Sequence, residues 1–383
     1  MHFLDHVCAS PPAARTVEAV REAATTLSVP GPAGATALAL AWLERRDRAR
    51  RAAARLLAAP PAAVTLVEST THGLGLVAAG LDLRSGDEVL IPDCEFLGLT
   101  ALWQGQVRRG VRVRSVPSRG GAVAVPDVAA AVGPCTRAVV CSAVQEVSGA
   151  PTDLAGVADV AARVGALVLV DGIQEAGVLR TSPAPAGVDA YAAGGHKWLR
   201  NPFGLGLLWT SDRLRDRLRP PWQGYFALPE PAAGWESVLR DRTRTAHDLP
   251  GLRADGDALE LGGTPNWLGA VGLDVALGDL FTSGADQVER RALRLADRLR
   301  AGLVRLGAAP LTPVGTRSPI VTFGLPGGEP AEQALHDRLR AAGVHVSLRG
   351  GAGVGGVRAG CHGHNTDDDV DALLDVVAGF PRT

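Results

Sequence analysis

Short apolar runs alternate with amphipathic stretches along the first two thirds of the chain. Helical periodicity covers residues 37–58, and a second helical run begins near Thr71. The segment DLAGVADVAARVG lies between two apolar runs and is typical of a crossover helix. Buried strands are predicted for AVTLVES, DEVLIPD, VRVRSVP, TRAVVCSAV, ALVLVDG and GLGLLWTS. Because repeated strand-helix-strand units build parallel sheets covered by helices, we predict an α/β fold with a mostly parallel sheet.

The pattern changes beyond about residue 267. Two long amphipathic stretches, LGAVGLDVALGDL and GADQVERRALRLADRLRAGLVRLG, are followed by shorter strand and helix patterns that end in DDDVDALLDVVAGF. This mixture is typical of a smaller α+β domain, and a chain of 383 residues is too long for one compact core. We therefore predict a large domain over residues 20–266 and a small domain that joins residues 267–383 with residues 1–19.

The charges of the chain are balanced, with 39 basic and 40 acidic side chains. This balance gives no electrostatic reason to expect a nucleic acid or an anionic membrane as a partner. No apolar run reaches the length of a membrane span, and an acidic residue and a proline pair interrupt the N-terminal stretch where a signal peptide is continuously apolar. We therefore expect a cytoplasmic protein.

The five cysteines are scattered and lack CxxC spacing, so neither a disulfide framework nor a metal site is expected. Free cysteine is commonly buried, which makes small buried side chains the simplest interpretation of all five. They are Cys8, Cys94, Cys135, Cys141 and Cys361.

Lys197 is the only lysine among the 39 basic side chains. Drift from lysine to arginine in a high-GC genome explains the missing lysines but not the one that remains. A guanidinium replaces an ammonium as a charge, but it stays protonated and cannot serve as an amine nucleophile. Lys197 is therefore a candidate for covalent chemistry.

Asp171 ends one apolar run, and Lys197 follows another short apolar segment further along the chain. Open α/β sheets bind ligands at the carboxyl ends of their strands, so this acid and this amine can face one bound ring. Pyridoxal 5'-phosphate (PLP) requires such a pair: a lysine for the Schiff base and a carboxylate that keeps the pyridine nitrogen protonated. Taken alone, an aspartate and a lysine at strand ends are more often a surface pair.

Three hydroxyl side chains, Ser69, Thr70 and Thr71, stand where a strand gives way to a helix. Hydroxyls and free backbone amides at the start of a helix suit a phosphate group. An ordinary helix N-cap is the alternative interpretation of the same residues.

The chain as a whole resembles the class V aminotransferase family, which includes cysteine desulfurases and isopenicillin N epimerase. The matching motifs are FLDH, STTHGLGLVAAGL, DGIQEAG, DAYAAGGHKW, GGTPNWLGAVGL and VRAGCHGHNTDDDVDALL, in the order of the family. The resemblance implies PLP-dependent transferase fold type I, PLP as the cofactor and an amino acid as the substrate. It also implies a homodimer with its sites at the subunit interface.

The resemblance implies roles around the cofactor. Lys197 matches the Schiff-base lysine, Asp171 the partner of the pyridinium nitrogen, and Gln174 the residue that hydrogen-bonds the phenolic oxygen. Phe96 aligns with an aromatic ring that stacks on the pyridine, and a core phenylalanine is the alternative. The residues that match phosphate contacts are Thr70, Thr71, His196 and, from the neighbouring subunit, Thr264.

Two arginines match the family's substrate site. Arg358 corresponds to the arginine that binds the substrate carboxylate, for which a planar bidentate guanidinium is well suited. Arg349 corresponds to a second arginine, although a surface residue in a glycine-rich loop is an equally good interpretation.

Several residues depart from the family pattern. The loop cysteine of desulfurases should follow Arg349, where this chain reads GGAGVGG, so direct desulfuration is disfavoured. Gly194 replaces a serine that commonly contacts the phosphate. Gln145 and Glu146 lie where many members place an asparagine. His362 and His364 are compatible with substrate contact and with packing alike.

We therefore expect an enzyme that acts at Cα of an amino acid through a Schiff base at Lys197, with transamination as the default reaction. A C–S lyase that catalyses β-elimination is the close alternative, followed by an epimerase of the isopenicillin N epimerase type. A non-catalytic regulatory homologue is disfavoured because Lys197, Asp171 and Gln174 are all present.

Overall fold

The fold is described from a computed structural model that covers residues 1–28, 34–248, 251–253, 255–260 and 265–381. The strands are β1 His2–Phe3, β2 Val64–Val67, β3 Glu88–Pro92, β4 Arg112–Val116, β5 Thr136–Ser142, β6 Leu167–Asp171, β7 Ala190–Gly194, β8 Gly206–Thr210, β9 Ala309–Pro310, β10 Ile320–Gly324, β11 Val344–His345, β12 Ser347–Gly351 and β13 Val354–Gly360.

The α-helices are α1 Ala14–Ser28, α2 Gly34–Leu56, α3 Thr70–Gly80, α4 Leu97–Ala101, α5 Gln104–Val107, α6 Val125–Ala131, α7 Leu154–Ala162, α8 Asp212–Arg215, α9 Gly234–Arg240, α10 Trp267–Ser283, α11 Ala285–Arg305, α12 Gly328–Ala341 and α13 Asp367–Ala378. Short 3-10 turns cover Pro61–Ala63, Tyr225–Ala227 and Gly256–Leu259.

A seven-stranded sheet forms the centre of the fold, in the order β2-β8-β7-β6-β5-β3-β4. Strand β8 runs antiparallel to both of its neighbours, and the other pairs are parallel. Every segment predicted as a strand lies in this sheet, and the predicted crossover helix is α7. The prediction of burial is wrong for VRVRSVP, which forms the edge strand β4, where only Val116 is buried. The mostly parallel sheet confirms the predicted α/β class.

Both faces of β2, β3, β5, β6, β7 and β8 are mostly buried, which explains why these strands are rich in apolar residues, whereas the edge strand β4 is mostly exposed. In β6, Leu167 and Leu169 belong to one hydrophobic cluster, while Val168 and Val170 belong to the cluster on the opposite face. This alternation is the two-residue periodicity of a strand. The sheet is therefore a rigid base whose strand ends present the polar residues that follow them.

A smaller antiparallel sheet, in the order β12-β13-β10-β9, packs with α11, α12 and α13 around a separate hydrophobic cluster. The N-terminal strand β1 pairs in parallel with β11, and Leu4 is part of this cluster. Helix α10 packs against α1 and α2 and contributes Leu273 and Leu277 to the core of the large sheet. The predicted domain boundaries stay a prediction.

Within the described ranges, no single helix is long and apolar enough to cross a bilayer. Helices α10 and α11 reach the required length and composition only as a pair, and the chain bends by 78° between them. The cytoplasmic location expected from the sequence stays a prediction.

The fully buried side chain of Arg300 connects α11 to the segment that enters β10. Its Nη2 donates hydrogen bonds to the backbone oxygens of Ser318 and Ile320, each at 2.8 Å. Its Nε donates to Thr312 Oγ1 at 3.1 Å. Because these partners are also buried, the guanidinium satisfies carbonyl groups that water does not reach.

We expect the substitution Arg300→Met to lower the free energy of unfolding by about 3 kcal/mol, because it leaves buried carbonyl oxygens without their donor. Urea denaturation followed by circular dichroism measures the change. Arg305→Met, at the exposed end of the same helix, is the control and should alter stability by less than about 0.5 kcal/mol. Equal losses in the two variants would contradict this role.

Candidate active site

The carboxyl ends of three neighbouring parallel strands meet at one edge of the large sheet. Asp171 is in register with Ser142 of β5 on one side and with Ala192 of β7 on the other. Lys197 follows three residues after the end of β7. The sheet thus brings the predicted acid and the predicted amine to one edge.

Lys197 is mostly buried, and within the described part of the chain its ammonium has no hydrogen-bond or ion-pair partner. Burial lowers the pKa of Lys197, whereas the carboxylates of Asp171 and Glu146 raise it. An amine that is desolvated and not held by another side chain is available as a nucleophile and as a base.

Asp171 is only 6% exposed, and its Oδ1 accepts a hydrogen bond from the backbone amide of Ile173 at 2.8 Å. Burial raises the pKa of Asp171 to about 6, while the Ile173 amide and the charge of Lys197 oppose the rise. A buried carboxylate of this kind is stabilised by a cation placed against it. It therefore suits a protonated ring nitrogen.

The buried side chain of Gln174 bridges two segments beside Lys197. Its Nε2 donates to the backbone oxygen of Val7 at 3.2 Å, and its Oε1 accepts from Trp198 Nε1 at 2.9 Å. These bonds fix the amide orientation and leave one Nε2 proton for a further acceptor. The predicted contact with a phenolic oxygen stays a prediction.

The start of α3 lies next to the end of β7. Ser69 is the N-cap of α3, and its Oγ accepts from the backbone amide of His72 at 3.0 Å. The buried Thr70 hydroxyl accepts from the backbone amide of Gly194 at 2.9 Å, whereas Thr71 is exposed. The capping interpretation therefore describes Ser69, and Thr70 connects the helix start to the strand that precedes Lys197.

The other expected cofactor contacts lie around this edge. His196 stacks on Phe203 with ring centroids 4.7 Å apart, and burial lowers the pKa of His196, so its ring is neutral near pH 7. The ring of Phe96 is about half exposed at the start of α4 and is not a core residue. Thr264 lies outside the described residues. The roles of these three residues stay predictions.

Glu95, beside Phe96, is a partly buried carboxyl for which the sequence predicts no role of its own. Its Oε1 accepts from the amide of Ser142 and from Gln145 Nε2, both at 2.8 Å, and its Oε2 accepts from the Ser142 hydroxyl. Burial raises the pKa of Glu95 to about 7; these hydrogen bonds oppose the rise and the charge of Asp171 adds to it. Glu95 and Asp171 therefore form neighbouring acidic groups at the same strand ends.

Arg358 is almost completely buried on β13 and points toward the same centre. Its Nη1 donates to the backbone oxygen of Glu146 at 2.8 Å and to Glu146 Oε2 at 3.2 Å. Its Nε donates to Ser347 Oγ at 3.2 Å. Burial lowers the pKa of Arg358, which nevertheless stays charged because the ordinary value is far above neutral pH.

Cys8 lies between the two predicted substrate arginines. Its Sγ accepts from Arg349 Nη2 at 2.8 Å and from Arg358 Nη2 at 3.3 Å. The interpretation of all five cysteines as small buried residues is therefore wrong for Cys8, which is partly exposed, and for Cys135, which is exposed. The arginine contacts also bring Arg349, although exposed, to the same cluster as Arg358.

Of the two histidines near the C-terminus, His362 packs in the interior, whereas His364 is exposed. His362 is 1% exposed, its Nε2 lies 2.9 Å from the backbone oxygen of Trp198, and its ring stacks on those of Trp198 and His364. Burial lowers the pKa of His362 well below its ordinary value. Among the described residues, no group of three or more His, Cys, Asp or Glu side chains is placed to hold a metal ion.

These residues fit PLP by the chemistry of their side chains. Lys197, whose amine has no hydrogen-bond partner among the residues that the structure describes, lies near the buried carboxyl of Asp171, which gains from a cation beside it. The start of α3, with Thr70 at its first position, supplies free backbone amides of the type that bind phosphate.

Comparison with known proteins places the chain in a family. The profile described as Aminotransferase class-V matches residues 2–373. A probable cysteine desulfurase of Methanothermobacter thermautotrophicus is 25% identical over 400 residues, covering 99% of this chain and 95% of the relative. Isopenicillin N epimerase of Streptomyces clavuligerus is 29% identical over 357 residues, covering 88% of this chain and 84% of the relative.

Two solved structures of one protein, C-DES, extend the match to the fold. A mutant with glycine covalently linked to the PLP cofactor superimposes with a TM-score of 0.88 at 25% identity, covering 99% of this chain and 97% of C-DES. The complex of the cystine C–S lyase C-DES with its reaction product, cysteine persulfide, gives a TM-score of 0.87 at the same identity and coverage. The chain therefore belongs to the class V aminotransferase family and is a PLP-dependent enzyme of fold type I.

Proposed function

We propose that the protein is a C–S lyase that breaks the bond between Cβ and sulfur of an amino acid by β-elimination. The similarity to the cystine C–S lyase C-DES extends over nearly the whole of both chains, which supports a shared reaction type. Transamination, the default expected from the sequence, has less support because the similar proteins are a probable cysteine desulfurase, a C–S lyase and an epimerase.

The observation that carries this proposal is the β12–β13 hairpin. The family resemblance implies that a desulfurase carries a loop cysteine in this segment. Here the strands pair up to Gly351 and Val354 and close through Ala352 and Gly353, both in the left-handed conformation. The turn carries no cysteine that could receive the substrate sulfur in the way proposed for the loop cysteine of a desulfurase. This absence supports release of the sulfur as a leaving group.

The side chains of this protein have distinct proposed roles in the reaction. PLP, when bound, withdraws electrons from Cα of the amino acid. Lys197, whose pKa is lowered by burial, removes the Cα proton once the substrate amine has replaced it. Asp171 keeps the ring nitrogen protonated, and Arg358 with Arg349 orients the α-carboxylate.

The remaining contacts belong to the same proposal. Gln174 hydrogen-bonds the phenolic oxygen, Phe96 stacks on the ring, and Thr70, Thr71 and His196 hold the phosphate. Ser69 supports the phosphate site indirectly by capping α3. We further propose a cytoplasmic homodimer in which Thr264 of the neighbouring subunit reaches the phosphate.

We expect Asp171→Asn to stabilise the cofactor-free protein by on the order of 2 kcal/mol at pH 7.5 and to leave its stability almost unchanged at pH 4. The pKa of Asp171 is about 6 in the folded protein against an ordinary 3.8. Ionisation of the buried carboxyl therefore destabilises the folded state at pH values above about 6, whereas near pH 4 the carboxyl is protonated in the folded protein and this cost is absent. The same variant should bind PLP more weakly, because the ring nitrogen loses its counter-ion.

Urea denaturation at the two pH values measures the difference. Asp159→Asn, an exposed position on α7, is the control and should show no pH-dependent gain. A variant that loses stability equally at both pH values would show that the Asp171 carboxylate is held by favourable contacts and is not destabilised by burial.

We expect the purified protein with PLP to convert S-substituted cysteines to pyruvate and ammonia in equal amounts without an added amino acceptor. Elimination produces an enamine that hydrolyses to these two products, whereas transamination needs an acceptor. A coupled lactate dehydrogenase assay and an ammonia assay on the same samples measure both. Keto acid that forms only when an amino acceptor is added would contradict the lyase proposal.

A further inference from the structure

Glu146 uses part of the hydrogen-bonding capacity of Arg358, the arginine that is expected to bind the substrate carboxylate. Its backbone oxygen and its Oε2 both accept hydrogen bonds from Arg358 Nη1, at 2.8 and 3.2 Å. Cys8 Sγ accepts a hydrogen bond from Nη2 of Arg358, and Ser347 Oγ accepts one from its Nε. A carboxylate that binds both terminal nitrogens of Arg358 therefore has to displace Oε2 of Glu146, since the backbone oxygen is fixed.

The backbone that carries Glu146 is held from both sides, so a displaced Glu146 side chain can move only by rotation about its own bonds. The amide of Gln145 donates to Ala150 O and the amide of Gly149 donates to Gln145 O, both at 2.9 Å. The Thr322 hydroxyl of β10 donates to the backbone oxygen of Val147. The Glu146 side chain is only 24% exposed. Its negative charge therefore stays beside the bound substrate.

The charges around Arg358 are already balanced before a substrate arrives. Asp5 Oδ1 accepts from Ser347 Oγ at 2.9 Å, and the same hydroxyl accepts from Arg358 Nε. Asp5 and Glu146 thus offset the positive charges of Arg358 and Arg349. An incoming α-carboxylate adds one negative charge beside the buried guanidinium of Arg358, where unpaired charge is costly.

A substrate can compensate this charge with its own side chain. A cationic group placed near Glu146 pairs with the carboxylate that the α-carboxylate has displaced, whereas an acidic group adds a second repulsion. Glu146 also faces the reacting centre, because its charge acts on both Lys197 and Asp171. The carboxylate is thus placed to distinguish substrates by the charge of their side chains.

We propose that Glu146 is a specificity-determining residue that favours amino acids with a positively charged side chain and rejects acidic ones. The proposal rests on the proposed function for the identity of the site, and it adds the class of substrate: S-substituted cysteines whose substituent carries a cationic group.

Binding of three amino acids of similar length tests the proposal apart from turnover: L-2,4-diaminobutyrate, L-norvaline and L-glutamate, which are cationic, neutral and acidic. None of them carries a sulfur leaving group at Cβ. Dissociation constants are measured for the PLP-loaded protein by isothermal titration calorimetry and by the change in cofactor absorbance. We expect diaminobutyrate to bind roughly 10- to 100-fold more tightly than glutamate, the size of one charge-assisted hydrogen bond, with norvaline between them.

The substitution Glu146→Gln keeps an acceptor for Arg358 and removes the charge. We expect it to reduce the preference for diaminobutyrate over glutamate by about tenfold or more, and Glu146→Asn to do the same. Glu22→Gln on the exposed face of α1 is the control and should leave the preference unchanged. Melting curves and cofactor absorbance establish that each variant is folded and loaded.

A preference that stays within about twofold of the wild-type value in both Glu146 variants would overturn the proposal. An equal shift in affinity for all three ligands would also overturn it, because Glu146 would then only compete for Arg358. The failure of the lyase proposal is distinguishable: it leaves the charge preference of the binding measurements intact and removes only the release of pyruvate from S-substituted cysteines.

Discussion

The organisation of the site depends on the electrostatic relation between Lys197 and Asp171 at the ends of β7 and β6. Both groups lose most of their hydration, which lowers the pKa of the amine and raises that of the carboxyl to about 6. Each charge opposes the effect of burial on the other, yet no hydrogen bond joins the two side chains among the described residues. An amine and an acid kept near each other but not paired are suited to a ligand that contacts both.

The sheet creates this relation, and segments far apart in sequence complete it. The N-terminal segment supplies Val7, whose backbone oxygen orients Gln174, and Cys8, which lies between the two arginines. The segment after β5 supplies Glu146, and β13 supplies Arg358. The position of Arg358 thus depends on contacts with both the first residues and the middle of the chain, which explains why an isolated large sheet would not form the complete site.

Much of this arrangement could be predicted from the sequence because the signals are local. Short apolar patterns predict six of the seven strands of the large sheet, and β7 is indicated only as a short apolar segment. The two-residue alternation between the two hydrophobic clusters follows from the strand periodicity. The lone lysine and the aspartate at a strand end predict the position of the centre from the sequence alone. The family motifs added Gln174 and Arg358, for which no spacing rule exists.

The contacts that could not be predicted are those made across long separations in the chain. Cys8 carried no sequence signal, since its position between Arg349 and Arg358 results from the pairing of β1 with β11. Glu146 was noted only as a departure from the family pattern, and its hold on Arg358 depends on how the small sheet packs on the segment after β5. Ser69 illustrates a local ambiguity: the same motif serves a helix cap and a phosphate site, and only the hydrogen bond to His72 separates the two.

The central claim is that the Lys197 amine forms the covalent bond to PLP. Reduction of the PLP-loaded protein with borohydride, followed by proteolysis and mass spectrometry, tests it directly because the chain has one lysine and one terminal amine. The account predicts the phosphopyridoxyl mass on the peptide that contains Lys197. A label on the N-terminal amine alone, or no label on a protein that has bound PLP, would contradict it.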